Sequence, residues 1–296
     1  MKKILILALL ILIALCFSKN SNFQNIKDNK EIIYLTLVET NDIAELEKEE
    51  YIKGVVLAEM PPSFSLEALK AQAVAARTYT EKKFSAQNHM CNNPSHCQAW
   101  TDPTGSTYYD KISQAVNETK GEELTYLGEP IEAFFHSSSG GKTESSENVW
   151  QSQKPYLVSV ESPGEEEIMN EFHTSKEVSY KDVVEKINTY KNQKVITTEK
   201  LNGKIKILSR TEGNRVKEIK FQNTILSGNE IRSIFELRST NFDVEMQKQS
   251  IIFNVNGYGH GVGMSQWGAE AMARNGSNYK EILSHYYPGT LVEKKF

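Results

Sequence analysis

Positive charge is not in excess in this chain: 34 lysines and arginines against 38 acidic residues leave a formal net charge of −4. A nucleic-acid binder needs a basic surface to displace phosphate counterions, so this balance argues against that class. Cysteine is scarce, three in 296 residues, too few for a small disulfide scaffold. Beyond Phe17 no apolar run approaches the roughly 20 residues that cross a bilayer, which excludes a multi-span membrane protein. Internal repeats and low-complexity tracts are missing too. What is left, 39% apolar and 24% charged, is ordinary globular composition.

Lys2 and Lys3 precede a charge-free apolar run from Ile4 to Phe17. It is too short for a comfortable membrane span and fits a secretory signal or a retained anchor, with the bulk of the chain outside the cell membrane. The expected organisation is therefore a signal or anchor at 1–18, a polar linker at 19–31 and a domain at 32–296. From about 163 to 245 the chain is more charged and poor in aromatic or glycine-rich clusters, which marks an insertion or second lobe without evident chemistry. Strands are expected at Ile32–Val38, Glu123–Leu127, Ile131–Ser137 and Ser250–Val255. Helices are expected at Lys48–Met60, stopped by Pro61-Pro62, and from Leu66 to about Lys83, with Leu66, Leu69, Ala73 and Ala76 as its buried stripe. Further helices are expected at Thr107–Lys120, Tyr180–Tyr190 and up to Arg274, a hairpin turn at Asn202-Gly203, and a helix entry at Ser227–Glu230. This mixture is α+β.

Glu59 is the only charge in Gly-Val-Val-Leu-Ala-Glu-Met-Pro. A carboxyl in so apolar a stretch is either paired with a cation or keeps its proton, and a protonated carboxyl is what a general acid requires. Lys70 and Arg77 lie about two turns apart on one helical face. They are suited to Glu59, to an anionic or hydroxylated ligand, or simply to solvent. The loop Ser137–Lys142 is rich in backbone donors and hydroxyls but lacks P-loop spacing. Gly257-Tyr258-Gly259-His260-Gly261-Val262-Gly263 spends glycines where a backbone must let something approach closely. Cys91, His96 and Cys97, with His89 nearby, suit either zinc or, in an exported chain, a disulfide.

Three stretches together resemble the stage II sporulation protein D family: Tyr51–Pro61 running on through Glu67–Tyr79, Phe135–Glu144, and Gly257–Ala269. The resemblance covers most of residues 32–290 and is weakest over 165–245. It implies a two-lobed fold with a substrate cleft, not lysozyme-like, and a lytic transglycosylase of peptidoglycan acting during endospore engulfment. The implied substrate is glycan stripped of stem peptides by a partner amidase, stage II sporulation protein P. On this resemblance Glu59 is the catalytic acid. Glycan is expected in a groove lined by Lys70 and Arg77, by His136, Ser137, Lys142 and Glu144 of one loop, and by His260 and Gln266 of the other. Relatives with the cysteine pair bind zinc, which favours a structural zinc site at Cys91, His96 and Cys97. They place a further histidine where this chain has Ser85, leaving His89, His136 or water for the fourth position.

Such a reaction needs only one carboxyl, because the sugar's own six-position hydroxyl replaces the water that hydrolytic glycosidases activate with a second one. Two other classes stay open on the sequence: a glycan-binding module that enhances a cell-wall amidase, with Glu59 merely paired to Arg77, and a zinc hydrolase that cuts the stem-peptide amide.

Overall fold

The computed structural model describes residues 31–295 except 88, 151 and 202. The expected signal or anchor at 1–18 and nearly all of the linker at 19–31 lie outside the described residues. No described helix is long and apolar enough to cross a membrane.

From Ile33 onward the described residues form one unit, a mixture of helices with, among those residues, five small sheets of two or three strands each. At its centre runs the helix Leu66–Gln87. Leu69, Ala73 and Ala76 are buried as their spacing predicts and Leu66 only partly, yet Ala68, Ala71, Val74, Ala75 and Arg77 are buried as well. A helix covered on every side needs small residues wherever a neighbour crosses it, and the alanines supply them. Helices Lys48–Glu59, Tyr109–Glu118, Gln266–Arg274 and Tyr279–Tyr286 pack around it. Strand Glu122–Tyr126 also contacts it and pairs antiparallel with Leu291–Lys294. Ile32–Leu37 runs parallel to the two-residue strand Met90–Cys91, which fixes the start of the cysteine loop.

A second hydrophobic core gathers residues between Val178 and Val255, including Phe221, Phe235, Phe242 and Phe253. Two antiparallel three-stranded sheets frame it: Ile205–Arg210, Val216–Phe221 and Thr224–Ser227 in one, Phe242–Met246, Ser250–Asn256 and His173–Ser179 in the other. Helix Tyr180–Tyr190 has the bounds its periodicity predicts. Helix Gly228–Ile234 starts in the capping box that Ser227 and Glu230 announce. The hairpin expected at Asn202-Gly203 is corrected. Gly203 follows a short 3₁₀ turn, Thr198–Lys200, and the chain reverses at Thr211–Arg215, where Asn214 has φ 59°. The strand expected at Ile131–Ser137 shrinks to Phe135–His136, paired parallel with Met264–Ser265.

Candidate active site

Helix Lys48–Glu59 ends where the sequence says it must, because Pro61 and Pro62 cannot continue it. Glu59 is its last residue. Opposite lies the loop that follows the cysteines. Its Trp100 reaches so close to Gly54 that a Cβ there would stand 2.1 Å from the indole nitrogen, and the Thr101 amide donates to the Gly54 carbonyl at 3.3 Å. That close docking delivers the Ala99 amide to Glu59, donating to Oε1 at 2.6 Å. Among the described residues no cation pairs with Glu59. Burial pushes its carboxyl above the ordinary value, and the Ala99 hydrogen bond opposes this only in part.

Glu59 faces a cavity of about 1250 Å³, whose lining also includes His136, Ser137, His260, Gln266, Trp150 and Trp267. The two motif loops meet here. Ser138 and Tyr258 exchange backbone hydrogen bonds at 2.9 Å each way, and Trp267 donates its amide to the Ser137 carbonyl at 3.0 Å. Gly261, at φ 87°, leaves room for the buried Arg215: a Cβ there would lie 2.4 Å from the guanidinium. Arg215 donates to the Ser139 carbonyl at 2.8 Å and so ties the second core to the site loops. His136 Nδ1 lies 3.2 Å from the Val262 carbonyl, which assigns its proton to Nδ1 and leaves Nε2 a buried acceptor without a described partner. His260 Nδ1 accepts from the Val262 amide at 3.1 Å, so in the neutral ring Nε2 carries the proton. Burial, then Arg215 and Arg232, push His260 down to about 3, and burial with His260 and the arginines holds His136 well below the ordinary histidine value. Both rings are neutral near pH 7. Trp150 and Phe134 pack on one another at 4.5 Å between centroids and flank His260, making an aromatic wall.

Several expected groove residues lie elsewhere. Lys70 is held by Glu67 at 2.8 Å and Glu118 at 2.5 Å. Arg77 is buried, gripping both oxygens of Glu49 at 3.0 and 2.7 Å and the carbonyls of Glu122 and Val116. The correction has a simple cause: Glu118 and Glu49 of neighbouring helices, with Glu67 of the same helix, neutralise these two cations, Lys70 near the surface and Arg77 in the interior. Lys142 pairs with Glu161 at 3.2 Å. Glu144 is buried, accepting from the Ser145 amide at 2.8 Å and from Asn148 at 2.9 Å. The serine loop is largely spent on an internal carboxylate, since Glu165 accepts from the Ser139 amide at 2.9 Å, the Ser139 hydroxyl at 2.6 Å and the Ser138 hydroxyl. Ser137 alone of these serines lines the cavity.

Cys91 Sγ and Cys97 Sγ each lie 3.3 Å from His96 Nδ1, and the three donor atoms fall within 4.8 Å of one another. The edges of a tetrahedron with zinc-ligand bonds of roughly 2.0–2.3 Å are about 3.3–3.8 Å long, so the two sulfur–nitrogen separations match such edges, and thiolate and imidazole are zinc's own ligand types. His89 stays outside: its Nδ1 faces the Gln87 carbonyl at 2.9 Å. His136 is likewise not part of the cluster.

Four further cavity residues are not among the expected site residues. Glu132 is a second carboxylate in the lining, paired with Lys154 at 2.8 Å. Tyr79 stands near both acids and the cysteines, and burial foremost pushes its phenol up to about 12. Trp150 and Arg232 complete the set. Glu132, Trp150 and Arg232 are single residues in stretches without a recognisable motif, brought in only by tertiary packing, whereas Tyr79 closes the Glu67–Tyr79 motif.

Residues 38–126 match the family model described as "Stage II sporulation protein", and residues 151–263 match one described as "Domain of unknown function (DUF8618)". Stage II sporulation protein D of Bacillus subtilis (strain 168) is 34% identical over 265 residues, covering 83% of this chain and 74% of that protein. Its counterpart in Bacillus amyloliquefaciens is 35% identical over 262 residues with the same coverage. The amidase enhancer of Bacillus subtilis (strain 168) is 32% identical over 287 residues, covering 81% of this chain but 40% of that protein.

Proposed function

The chain belongs to the stage II sporulation protein D family, and on that premise we propose that it is a lytic transglycosylase cutting peptidoglycan glycan strands during engulfment. One observation carries the proposal. Glu59 is a half-buried carboxyl with no described cation partner, its pKa raised by burial, at the wall of a cavity roomy enough for several sugar units. In the reaction Glu59 gives its proton to the bridging glycosidic oxygen as the bond from the anomeric carbon to that oxygen breaks. The six-position hydroxyl of the same muramic acid closes on the anomeric carbon. The Glu59 carboxylate, steadied by the Ala99 amide, takes that hydroxyl's proton and is restored. Trp150 and Trp267 offer flat faces for sugar rings, and His136 Nε2 offers an acceptor for a sugar hydroxyl.

Residues 163–245 act as a second lobe, so that the cavity works as a cleft. Zinc, held by Cys91, His96 and Cys97, has a structural role: it fixes the loop that presents the Ala99 amide. The apolar N-terminal segment exports or anchors the chain, which works outside the cell membrane, after an amidase of the stage II sporulation protein P type has removed stem peptides.

The test is purified chain on peptide-free glycan strands with no amidase present. Anhydromuramic ends are expected from the unaltered chain and none from Glu59→Gln, which keeps the shape and the Ala99 hydrogen bond. Equal cleavage by both would refute the proposal. The 32% identity to an amidase enhancer favours a second reading, a glycan-binding partner of an amidase. In that case the strands are bound intact, and a purified amidase works faster in the presence of the chain.

A further inference from the structure

The segment Pro163–Asp243 shows no chemistry in its sequence, yet it sends one side chain to the cavity. Arg232, in the last turn of helix Gly228–Ile234, lines the site beside His260 and Tyr258. Its Nε donates to the Leu237 carbonyl at 3.3 Å. Its terminal nitrogens have no hydrogen-bond partner among the described residues, and no described carboxylate pairs with it. Lys154, another cation of the lining, is by contrast neutralised by Glu132 at 2.8 Å. A half-buried guanidinium left without a counter-charge is costly to keep, and such groups collect where a ligand supplies the missing charge.

The neighbourhood points to an anion. Burial, together with Arg215 and Arg232, holds His136 and His260 neutral, so the imidazoles bring no charge to that end of the cavity; Arg215 lies behind the lining with Glu144 and Glu165 as counter-charges, and the charge left uncompensated there is that of Arg232. Arginine is the side chain best shaped for a carboxylate, offering parallel hydrogen bonds in one plane.

We propose that Arg232 is the residue by which this site recognises a free carboxylate on the glycan, namely the lactyl carboxylate that muramic acid exposes once its stem peptide has been removed. The assignment rests on the glycan reading of the cavity. While the peptide is attached, that carboxyl is a neutral amide carrying a bulky chain. After amide hydrolysis it is a small anion. Arg232 thereby turns the chemical state left by the preceding reaction into binding selectivity, and the second core contributes specificity, not only support.

The experiment uses the full chain carrying Glu59→Gln, so that strands are bound but not cut. Two probes are titrated calorimetrically: peptide-free glycan strands, and the same strands with their lactyl carboxyls converted to methylamides. The free-carboxylate strands are expected to bind about 10- to 100-fold more tightly, the range of a hydrogen-bonded charge pair. Adding Arg232→Gln is expected to bring the ratio close to one by weakening only the carboxylate probe. Equal binding of the two probes with Arg232 in place, or a ratio that survives Arg232→Gln, overturns the assignment. Should Arg232→Gln fail to fold, Arg232→Lys decides. It keeps the charge without the planar fork, so the ratio falls severalfold but stays above one, and an unchanged ratio overturns the assignment. Absence of cleavage by the unaltered chain would contradict the lytic reading while leaving the binding ratio to stand. Equal probe binding would remove Arg232 from recognition while leaving cleavage intact.

Discussion

Arg77 separates what the family resemblance implies from what the structure shows. The resemblance puts this arginine near the cleft, whereas in the structure it is 1% exposed and makes hydrogen bonds to both oxygens of Glu49 and to two backbone carbonyls. Arg77→Ala leaves Glu49 without its cation, strands the carbonyls of Glu122 and Val116, and opens a void beside the central helix. Removing one partner of a buried ion pair costs about 3–5 kcal/mol. In a domain of this size each kcal/mol lowers the unfolding midpoint by roughly 2–4 °C, so the midpoint is expected to fall by about 6–20 °C. Glu49→Gln keeps the volume and is expected to lose part of the same stability. The double variant should lose less than the sum of the two, by about 0.5–3 kcal/mol, because both substitutions break one interaction. Thermal unfolding followed by circular dichroism reads all three. Strand cleavage measured well below the lowered midpoint is expected to stay within a few-fold of the parent. An Arg77→Ala chain that melts at the parental temperature and still loses cleavage would refute the reasoning and return the arginine to the ligand.

Other predictions concern Glu59 and the cysteine loop. The raised Glu59 carboxyl must be protonated to act, so cleavage is expected to be full at pH below its shifted value and to fall about tenfold per pH unit above it. A rate that climbs with pH across that range would contradict the acid role. The same shift sets a sign for stability: folding favours the protonated form, so that contribution is complete below the unfolded carboxyl's ordinary value of 4.5 and is lost as pH rises through the folded value. Glu59→Gln is therefore expected to melt with the parent at low pH and above it at neutral pH, and a constant offset across pH would count against the burial argument. The metal-free chain is expected to bind stoichiometric zinc with release of protons, and Cys97→Ser to bind it far more weakly. Chelation should lower the melting temperature and cleavage together, whereas loss of cleavage at an unchanged melting temperature would mark a catalytic metal.

Much of the local structure was legible because its signals are local. The two prolines after Met60, the Ser227–Glu230 box and the Tyr180–Tyr190 periodicity each act over a few residues, and each element forms where they say. The meeting of His136 with His260 was legible in another way, through motifs far apart in the chain that the family resemblance joins. Side-chain partners were not legible. Spacing puts Lys70 and Arg77 on one helical face but says nothing of what packs there, and Glu49 and Glu118 turn out to hold them. The serines of the Ser/Gly loop look like ligand donors until Glu165 is seen to occupy them. Glu132, Trp150 and Arg232 carry no local mark at all.

Glu132 makes one measurement decisive, because a second carboxylate in the cavity is what hydrolysis would need. Peptide-free strands cleaved in heavy-oxygen water should yield new ends without label, each lighter by one water than a hydrolysed end, because the attacking oxygen belongs to the sugar. Label at the new anomeric carbon would mean that solvent attacks with Glu132 as its base, and the account of a carboxyl working alone would be wrong.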